Sequence, residues 1–348
     1  MKLLRRILFF SITIGFGASA QDYYANVNKS LFVLPNQSAM GHANLAYGRD
    51  GGPTSNPANL PLDSVTDIAL SYGGFWGNAF STSVISYATS LSENDGFGVS
   101  LGYLHVPNIK DTRGLTILED NTIVYDESDI SYETTSELYL TFGYGKSFKL
   151  NSKYILSTGL ALHAQRRRLL EDENNGTQVG YGIGADIGAT LHFLRNGFRL
   201  TVLADDITSN YIYWHDDYHD QSGPHLRLGA GWRKSIPYIH GRFTVAYQTP
   251  DLLQNEGIRV LHDEALDRIE VTEDGKYLND ISALFTGGRF GLEYVVRNIF
   301  AIRVGVNAGN VSFGGGLRLF DQMLGIDFGY TSSELPGTYI LSLAYRLK

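Results

Sequence analysis

The chain has 348 residues, 43% of them hydrophobic, with 28 Lys+Arg against 36 Asp+Glu and a formal net charge of −8. The acidic balance argues against a nucleic-acid-binding surface, and the lack of Cys excludes disulfides, Fe–S clusters and thiolate zinc sites. A mean hydropathy of −0.12 excludes a bundle of transmembrane helices but agrees with a membrane barrel, whose strands alternate between apolar and polar residues.

The first twenty residues have the parts of an export signal. A basic start is followed by an apolar run over residues 7–16 and by an A-x-A cleavage site at residues 18–20. The apolar run is well below the ~20 residues that a membrane span needs, so a retained N-terminal anchor is the weaker alternative. We therefore predict a signal peptide over residues 1–20 and an exported mature chain.

From about Asp67 onward the sequence keeps a two-residue period. In Tyr181–Phe193, large or apolar residues at odd positions alternate with Gly, Asp, Thr and His at even positions. A helix would mix the two sets, whereas a strand separates them. Fourteen such segments follow one another, and every Pro is placed outside their interiors. They predict an all-β chain with a 14-stranded antiparallel transmembrane β-barrel over residues 63–348.

Strand length and loop length favour this barrel over an exported β-sandwich, which is the alternative. Tyr181 and Phe193 would lie ~30 Å apart along a barrel axis, whereas sandwich strands usually have about five or six residues. Short connections follow the even-numbered strands and long ones follow odd-numbered strands, as in outer-membrane barrels. The predicted long connections are Pro107–Thr135, Arg168–Thr177, Asp206–Pro224 and Pro250–Gly288.

The polar face of the predicted strands carries charges of both signs, interleaved with Gly. Mixed charge at strand midpoints suits a barrel lumen, where opposite signs can pair across the interior. The predicted lumen-facing charges are Glu137, Asp186, Arg199, Arg227, Arg233, Arg242, Glu293, Arg303, Arg318, Asp327 and Arg346.

Three further motifs are candidates for chemistry. Gly98–Gly102 matches the G-x-S-x-G nucleophile elbow, but Ser100 lies inside an alternating strand, so no catalytic residue is predicted. His215 and His219 lie in an acidic loop and are weak candidates for metal ligands. The alternative is that this loop is simply acidic and solvated. No cofactor is predicted.

Three consecutive arginines, Arg166, Arg167 and Arg168, end the fifth predicted strand, where the chain should leave the outer leaflet. Arginine suits bidentate contacts with the phosphates of lipopolysaccharide. The alternative is that these side chains reach past the apolar surface and pair with the acidic residues just beyond them.

The segment before the first strand carries two motifs. Ser38–Tyr47 reads SAMGHANLAY, and Asn56–Leu60 reads NPANL. Together with the fourteen strands, these motifs resemble the PorV/PorQ family, relatives of the FadL-type outer-membrane transporters. The resemblance implies that residues 21–62 form an N-terminal extension and a hatch in the periplasmic mouth. The implied hatch residues are Ala39, Met40, Gly41, Asn56, Pro57, Ala58 and Leu60.

The resemblance leaves two functions open for a protein in the outer membrane of a Gram-negative bacterium. The first is an accessory of type IX-like secretion or cell-surface attachment, which binds secretion-apparatus or cargo proteins through long extracellular loops. The second is a FadL-like transporter for hydrophobic small molecules. Membrane lipid and lipopolysaccharide are expected partners of both. An enzyme is not expected, because no convincing catalytic constellation is present.

Overall fold

The computed structural model describes residues 27–48, 55–62, 66–111, 116–117, 123–124, 131–172, 176–214, 219–253, 260–263, 268–271, 281–333 and 335–347. The predicted signal peptide lies outside these residues. The helices are short: 3₁₀ turns at Val27–Leu31, Pro57–Leu62 and Pro237–Ile239, and the α-helices α1 (Pro35–Ala39) and α2 (Ile281–Thr286). None of the described helices is long and apolar enough to cross a membrane.

Fourteen antiparallel strands form a closed barrel, which confirms the predicted fold class. Each strand pairs with the next along the chain, and the last strand pairs with the first through the register Ala69↔Ala344. The strands are β1 (Thr66–Phe75), β2 (Phe80–Ser90), β3 (Asp95–Asp111), β4 (Ser131–Lys149), β5 (Tyr154–Asp172), β6 (Gly176–Phe193), β7 (Phe198–Asp205), β8 (His225–Ile236), β9 (Gly241–Gln248), β10 (Arg289–Val296), β11 (Phe300–Asn307), β12 (Asn310–Leu319), β13 (Leu324–Thr331) and β14 (Thr338–Leu347).

The two-residue period of the sequence becomes an outer and an inner face. On β1, Leu70 and Tyr72 are 56% and 47% exposed, whereas Ser71 between them is 4% exposed. The same alternation on the other strands surrounds the barrel with large exposed apolar side chains and turns small and polar ones inward. Such a surface is stable only against an apolar medium, which is why the pattern specifies a membrane barrel.

Short strands extend the wall and the connections. Asn210–Tyr213 pairs with β6 beyond the end of β7, and His219–Ser222 pairs with Asn210–Tyr213 in turn. Two further hairpins lie in the long connections after β3 and β9, at Thr116–Ile117 with Ile123–Val124 and at Val260–Asp263 with Arg268–Val271.

Two predictions about strand ends are wrong. The expected long connection Arg168–Thr177 belongs to a hairpin, because β5 continues to Asp172 and β6 begins at Gly176. Pro107 lies inside β3, not in a connection. The β3–β4 register shifts between Val106 and Ile109, so Pro107 occupies a bulge, where its missing amide proton breaks no ladder hydrogen bond.

Candidate functional site: a plugged lumen

The described N-terminal residues 27–48 and 55–62 contact the inner wall of the barrel, and we call them the plug. The residues predicted for the hatch are buried, including Ala39, Ala58 and Leu60 at 0% exposure. The helix α1 contacts β11 to β14, while the 3₁₀ turn at Pro57–Leu62 contacts β2 to β6. The plug therefore meets opposite parts of the wall with its two halves.

Two asparagines join the parts of the plug to each other and to the wall. Asn59 Nδ2 donates to the carbonyls of Leu45 and Gly48, at 2.9 Å each, and Asn59 Oδ1 accepts from Thr190 Oγ1 on β6 at 3.2 Å. Asn56 Nδ2 also donates to the Leu45 carbonyl, at 3.1 Å. The NPANL segment thus supplies hydrogen bonds between buried groups, and Asn59 takes part although it is not among the residues predicted for the hatch.

Glycines of the wall make room for the plug backbone. A Cβ atom on Gly305 of β11 would lie 2.2 Å from the backbone nitrogen of Gly41, and one on Gly159 of β5 would lie 2.3 Å from the carbonyl carbon of Pro57. Gly41 has φ +60°, and a Cβ there would lie 2.6 Å from the backbone nitrogen of Val306. The plug and wall backbones approach so closely that any side chain at these positions would separate them.

Lys29 fixes the start of the plug to the wall. Its Nζ lies 2.7 and 2.8 Å from the two carboxylate oxygens of Asp186 on β6, and 3.1 Å from Oδ1 of Asp205 at the end of β7. Burial alone would lower the pKa of Lys29, but the charges of Asp186 and Asp205, with smaller contributions from Tyr139 and Asp206, more than offset it and hold the pKa well above its ordinary value. Lys29 therefore stays charged and paired.

His163 and Asp206 complete this cluster. His163 Nε2 lies 2.8 Å from Asp206 Oδ1, and its Nδ1 lies 3.6 Å from Asp186 Oδ2. One ligand atom from each of His163, Asp186 and Asp206 lies within 4.8 Å of the others, a set that could hold a metal ion, although the Lys29 ammonium already supplies positive charge there. The alternation of residues along β5 predicts that His163 points inward. Asp206 and Lys29 lie outside the alternating segments, so the sequence pattern did not predict their positions.

The structure places the predicted lumen charges on the inward side of the strands. Arg303 on β11 donates to Glu293 at 2.8 Å and to Asp327 at 2.7 Å, and Arg318 lies 2.9 Å from Asp327. Arg227 pairs with Asp205, and Arg167 pairs with Glu137. Arg199 contacts Tyr47 of the plug. A cavity beside the plug is lined by Arg233, Arg242 and Arg346. Most of these charges are thus paired, and the pairs join strands of the wall to one another or to the plug.

Tyr47 of the plug lies between two of these arginines. The guanidinium carbons of Arg199 and Arg233 lie 4.4 and 4.2 Å from the centroid of its ring. The Tyr47 hydroxyl donates to the carbonyl of Gly197. Cation–π contacts of this kind stabilise a desolvated guanidinium without an anion.

The lumen is not polar throughout. Phe32 of the plug packs with Phe75, Phe80, Val84, Leu104, Tyr139 and Ile340 in a buried apolar cluster, with Leu31, Val33 and Val106 at its edge. Phe32 and Tyr139 are stacked with ring centroids 5.5 Å apart. Because β1 ends and β2 begins within this cluster, it lies in the half of the lumen that faces the long connections.

A cavity of about 380 Å³ lies at the opposite end, between the plug and the strands near the short turns. Its wall includes Asn36, Met40 and Tyr47 of the plug and the turn residues Asn298 and Gln322. The lumen therefore has an apolar region near the long connections and a polar cavity near the short turns.

The three consecutive arginines point to different sides. Arg166 and Arg168 are exposed on the outer face, whereas Arg167 turns inward, where its Nε lies 2.9 Å from Glu137. The period of two along β5 requires this separation. Only Arg166 and Arg168 remain candidates for a contact with lipid phosphate.

The remaining sequence candidates do not form a site in the described residues. His215 lies outside them, and the His219 ring packs 6.0 Å from the ring of Tyr211. Asp220 accepts a hydrogen bond from Trp214 Nε1 at 3.0 Å. Ser100 lies in the middle of β3, opposite Ser86 and Thr141, so the strand–turn–helix of a nucleophile elbow does not occur there.

A closed 14-stranded barrel whose lumen is filled by an N-terminal segment defines the class: a plugged transmembrane β-barrel. No family model matches the chain, and no curated protein matches its sequence. Among solved structures, the chain is similar to the "TodX deltaS2S3 mutant monoaromatic hydrocarbon channel", with 12% identity and a TM-score of 0.54 over 90% of this chain and 98% of that one.

Two further structures have lower scores. A Pseudomonas aeruginosa FadL homologue is 10% identical, with a TM-score of 0.49 over 90% of this chain and 98% of that one. The Pseudomonas putida toluene transporter TodX is 11% identical, with a TM-score of 0.48 over 93% and 98%. At 12% identity the likeness to the TodX variant describes the fold alone.

Proposed function

We propose that this protein is an outer-membrane transporter that admits hydrophobic small molecules through its plugged lumen. The observation that carries the proposal is the apolar cluster inside the lumen, around Phe32 and Val84, in the half that faces the long connections. A lumen that conducts only water and polar solutes has no use for an apolar surface of this kind. The fold adds support, since the similar solved structure with a TM-score of 0.54 is described as a monoaromatic hydrocarbon channel.

The parts of the chain have separate tasks in this proposal. Residues 1–20 direct export, residues 21–62 form the extension and hatch, and residues 63–348 form the barrel in the outer membrane of a Gram-negative bacterium. The exposed apolar band contacts lipid, and the outward Arg166 and Arg168 contact lipopolysaccharide phosphates. The protein is not an enzyme and needs no cofactor.

A passenger would bind first at the apolar cluster and would have to displace Phe32 to move inward. Phe32 belongs to the same plug segment as Lys29, which is held by Asp186 and Asp205. The ion pairs of Lys29 thus stabilise the closed arrangement, whereas Arg303 pairs with Glu293 and Asp327 within the wall.

Uptake of toluene into vesicles with a lipopolysaccharide outer leaflet tests the proposal, because that leaflet slows diffusion of apolar molecules through the bilayer. The parent should increase uptake severalfold over empty vesicles. Val84→Asn should lower uptake severalfold, because it places a polar amide in the apolar cluster. Ser86→Asn is the matched control, since Ser86 is also buried and inward on β2 but lies outside the cluster.

A second candidate is the PorV/PorQ-type accessory of type IX-like secretion. The SAMGHANLAY and NPANL motifs support it, as do the acidic residues of the long connection between β9 and β10. Purification of the tagged protein from outer membranes distinguishes the two functions. Co-purification of secretion or cargo proteins without toluene uptake would replace the transporter proposal with this one.

A further inference from the structure

We propose that the cavity near the short turns is a binding site for a phosphate-type oxyanion. Five arginines line it, Arg233, Arg242, Arg303, Arg318 and Arg346, against the carboxylates of Asp67 and Glu293 among its described lining residues. Counting Asp327, which pairs with Arg303 and Arg318, the described groups still carry more positive than negative charge. A confined excess of positive charge is stabilised by a bound anion.

The acids of the site are already engaged on one side of the cavity. Arg303 binds both Glu293 and Asp327, and Arg318 binds Asp327. These three ion pairs hold the guanidiniums of Arg303 and Arg318 in place and engage the carboxylates of Glu293 and Asp327. They therefore form one fixed wall of the site.

Arg233 on β8 is the central candidate ligand. Its Nε donates to the Thr244 hydroxyl at 3.2 Å, and its guanidinium carbon lies 4.2 Å from the centroid of the Tyr47 ring. Both groups are neutral and orient the guanidinium, whose charge also acts on the Glu293 carboxylate that Arg303 binds. A fork held in this way presents its remaining N–H groups in the planar geometry that phosphate oxygens accept.

Arg242 on β9 lies on the same inward face. Arg233 is opposite Thr244 in the β8–β9 register, which makes Arg242 its diagonal neighbour, typically about 7–8 Å away between backbones. Two long guanidinium side chains at this separation can converge on one phosphate group. A pair of guanidiniums supplies enough N–H donors for several oxygens of one anion, which matches the oxygens and the higher charge of a phosphate.

A wider opening connects the site to the short-turn end. It has a volume of about 850 Å³ and includes His240, Arg297, Arg242 and Asn298, and the last two also line the inner cavity. Arg297 adds positive charge at this entrance. The anion therefore reaches the site from the side opposite the apolar cluster, independently of any hydrophobic passenger.

Isothermal titration calorimetry of the folded protein in non-ionic detergent tests this site. Inorganic phosphate and glycerol 3-phosphate are titrated separately at constant ionic strength, with sodium chloride as the reference. Saturable binding of inorganic phosphate identifies a free anion as the source, and binding of glycerol 3-phosphate alone identifies a phosphate ester. Heats equal to the sodium chloride reference for both probes would overturn the proposal.

Arg233→Gln/Arg242→Gln should weaken phosphate binding at least about tenfold, since two charge-assisted contacts are lost. Lys153→Gln/Arg195→Gln is the matched control, because it removes two exposed charges from short turns at the same end. Equal affinity of the Arg233/Arg242 variant and the parent would also overturn the proposal. Arg233→Lys/Arg242→Lys keeps the charge and should bind with intermediate affinity, which allows a decision even if the Gln variant does not fold.

Discussion

Single residues decide how tightly the plug fits. Wall glycines such as Gly305 and Gly159 allow backbone contact, and Asn56 and Asn59 satisfy the plug carbonyls. None of these roles follows from a residue type alone. The sequence shows Gly interleaved with charges on the polar face of the strands, but only the three-dimensional arrangement shows which glycines face the plug.

Gly305→Ala should destabilise the protein by about 2 kcal/mol, because its Cβ would lie 2.2 Å from the Gly41 nitrogen and overpacking of this kind strains the backbone. Gly315→Ala is the control. The nearest atom to a Cβ there is the Ala301 carbonyl oxygen at 3.7 Å, so its effect should stay within about 0.5 kcal/mol. Urea unfolding in detergent micelles measures both. Equal destabilisation by the two variants would contradict close packing of the plug.

His42 should make stability depend on pH. Burial, followed by the charges of Arg289 and Arg227, lowers the pKa of His42 from 6.5 to about 3. The unfolded chain therefore binds one more proton than the folded chain between these pH values, and stability falls as pH falls from 6.5 towards 3. His42→Asn should remove up to about 1.4 kcal/mol of this change per pH unit.

Asparagine suits this position because His42 has φ +62°, a left-handed conformation that Asn tolerates. Urea unfolding of parent and variant at pH 4, 5, 6 and 7 gives the difference directly. Carboxyl groups titrate equally in both proteins and cancel. Parallel stability profiles for the two proteins would show that His42 does not titrate in this window.

The elements of the plug differ from the wall in how they are held. The strands are joined by continuous backbone ladders, whereas α1 is attached through side chains and close backbone packing. Ser38 Oγ of α1 lies 2.9 Å from Thr331 Oγ1 at the end of β13. This contact offers a direct check of where the helix lies, because the natural chain has no Cys.

Ser38→Cys/Thr331→Cys should form a disulfide on mild oxidation, since the two side-chain oxygens are already close enough for only small adjustments. Ser38→Cys/Tyr330→Cys should not, because Tyr330 is on the opposite face of β13. Mass spectrometry of linked peptides measures both. If the proposed transport needs movement of the plug, the disulfide should also lower toluene uptake until it is reduced.

At the scale of the whole molecule, the barrel has two unlike ends. Four-residue turns join β2 to β3, β4 to β5, β6 to β7 and β8 to β9, whereas the connections after β3, β7 and β9 are long. In outer-membrane barrels the short turns face the periplasm and the longer loops face outward. The apolar cluster then faces the cell exterior and the arginine-lined cavity faces the periplasm.

This orientation is tested by labelling single cysteines with a membrane-impermeant maleimide. Ala79→Cys, in the exposed β1–β2 turn, should react in intact cells. Asn196→Cys, in the exposed β6–β7 turn at the other end, should react only after the outer membrane is permeabilised. The reverse pattern would place the long connections in the periplasm and contradict the assignment of the two ends.

The sequence by itself determined the wall of this protein. Alternation over Tyr181–Phe193 and the other segments specifies strands with an apolar outer face, because lipid contact repeats with the two-residue period of a strand. The same period places Asp186 and Arg303 inward. The two-residue period predicted the strand ends wrongly at Pro107 and at the β5–β6 hairpin. A bulge and an extension beyond the membrane do not require apolar alternation.

Only the tertiary structure decided the contents of the lumen. Lys29, His163, Asp205 and Asp206 come from distant parts of the chain, and their contacts depend on where the plug lies inside the closed barrel. The same holds for Tyr47 between Arg199 and Arg233. Plug residues follow no repeating face, since they meet the wall on several sides at once, and such packing leaves no period in the sequence.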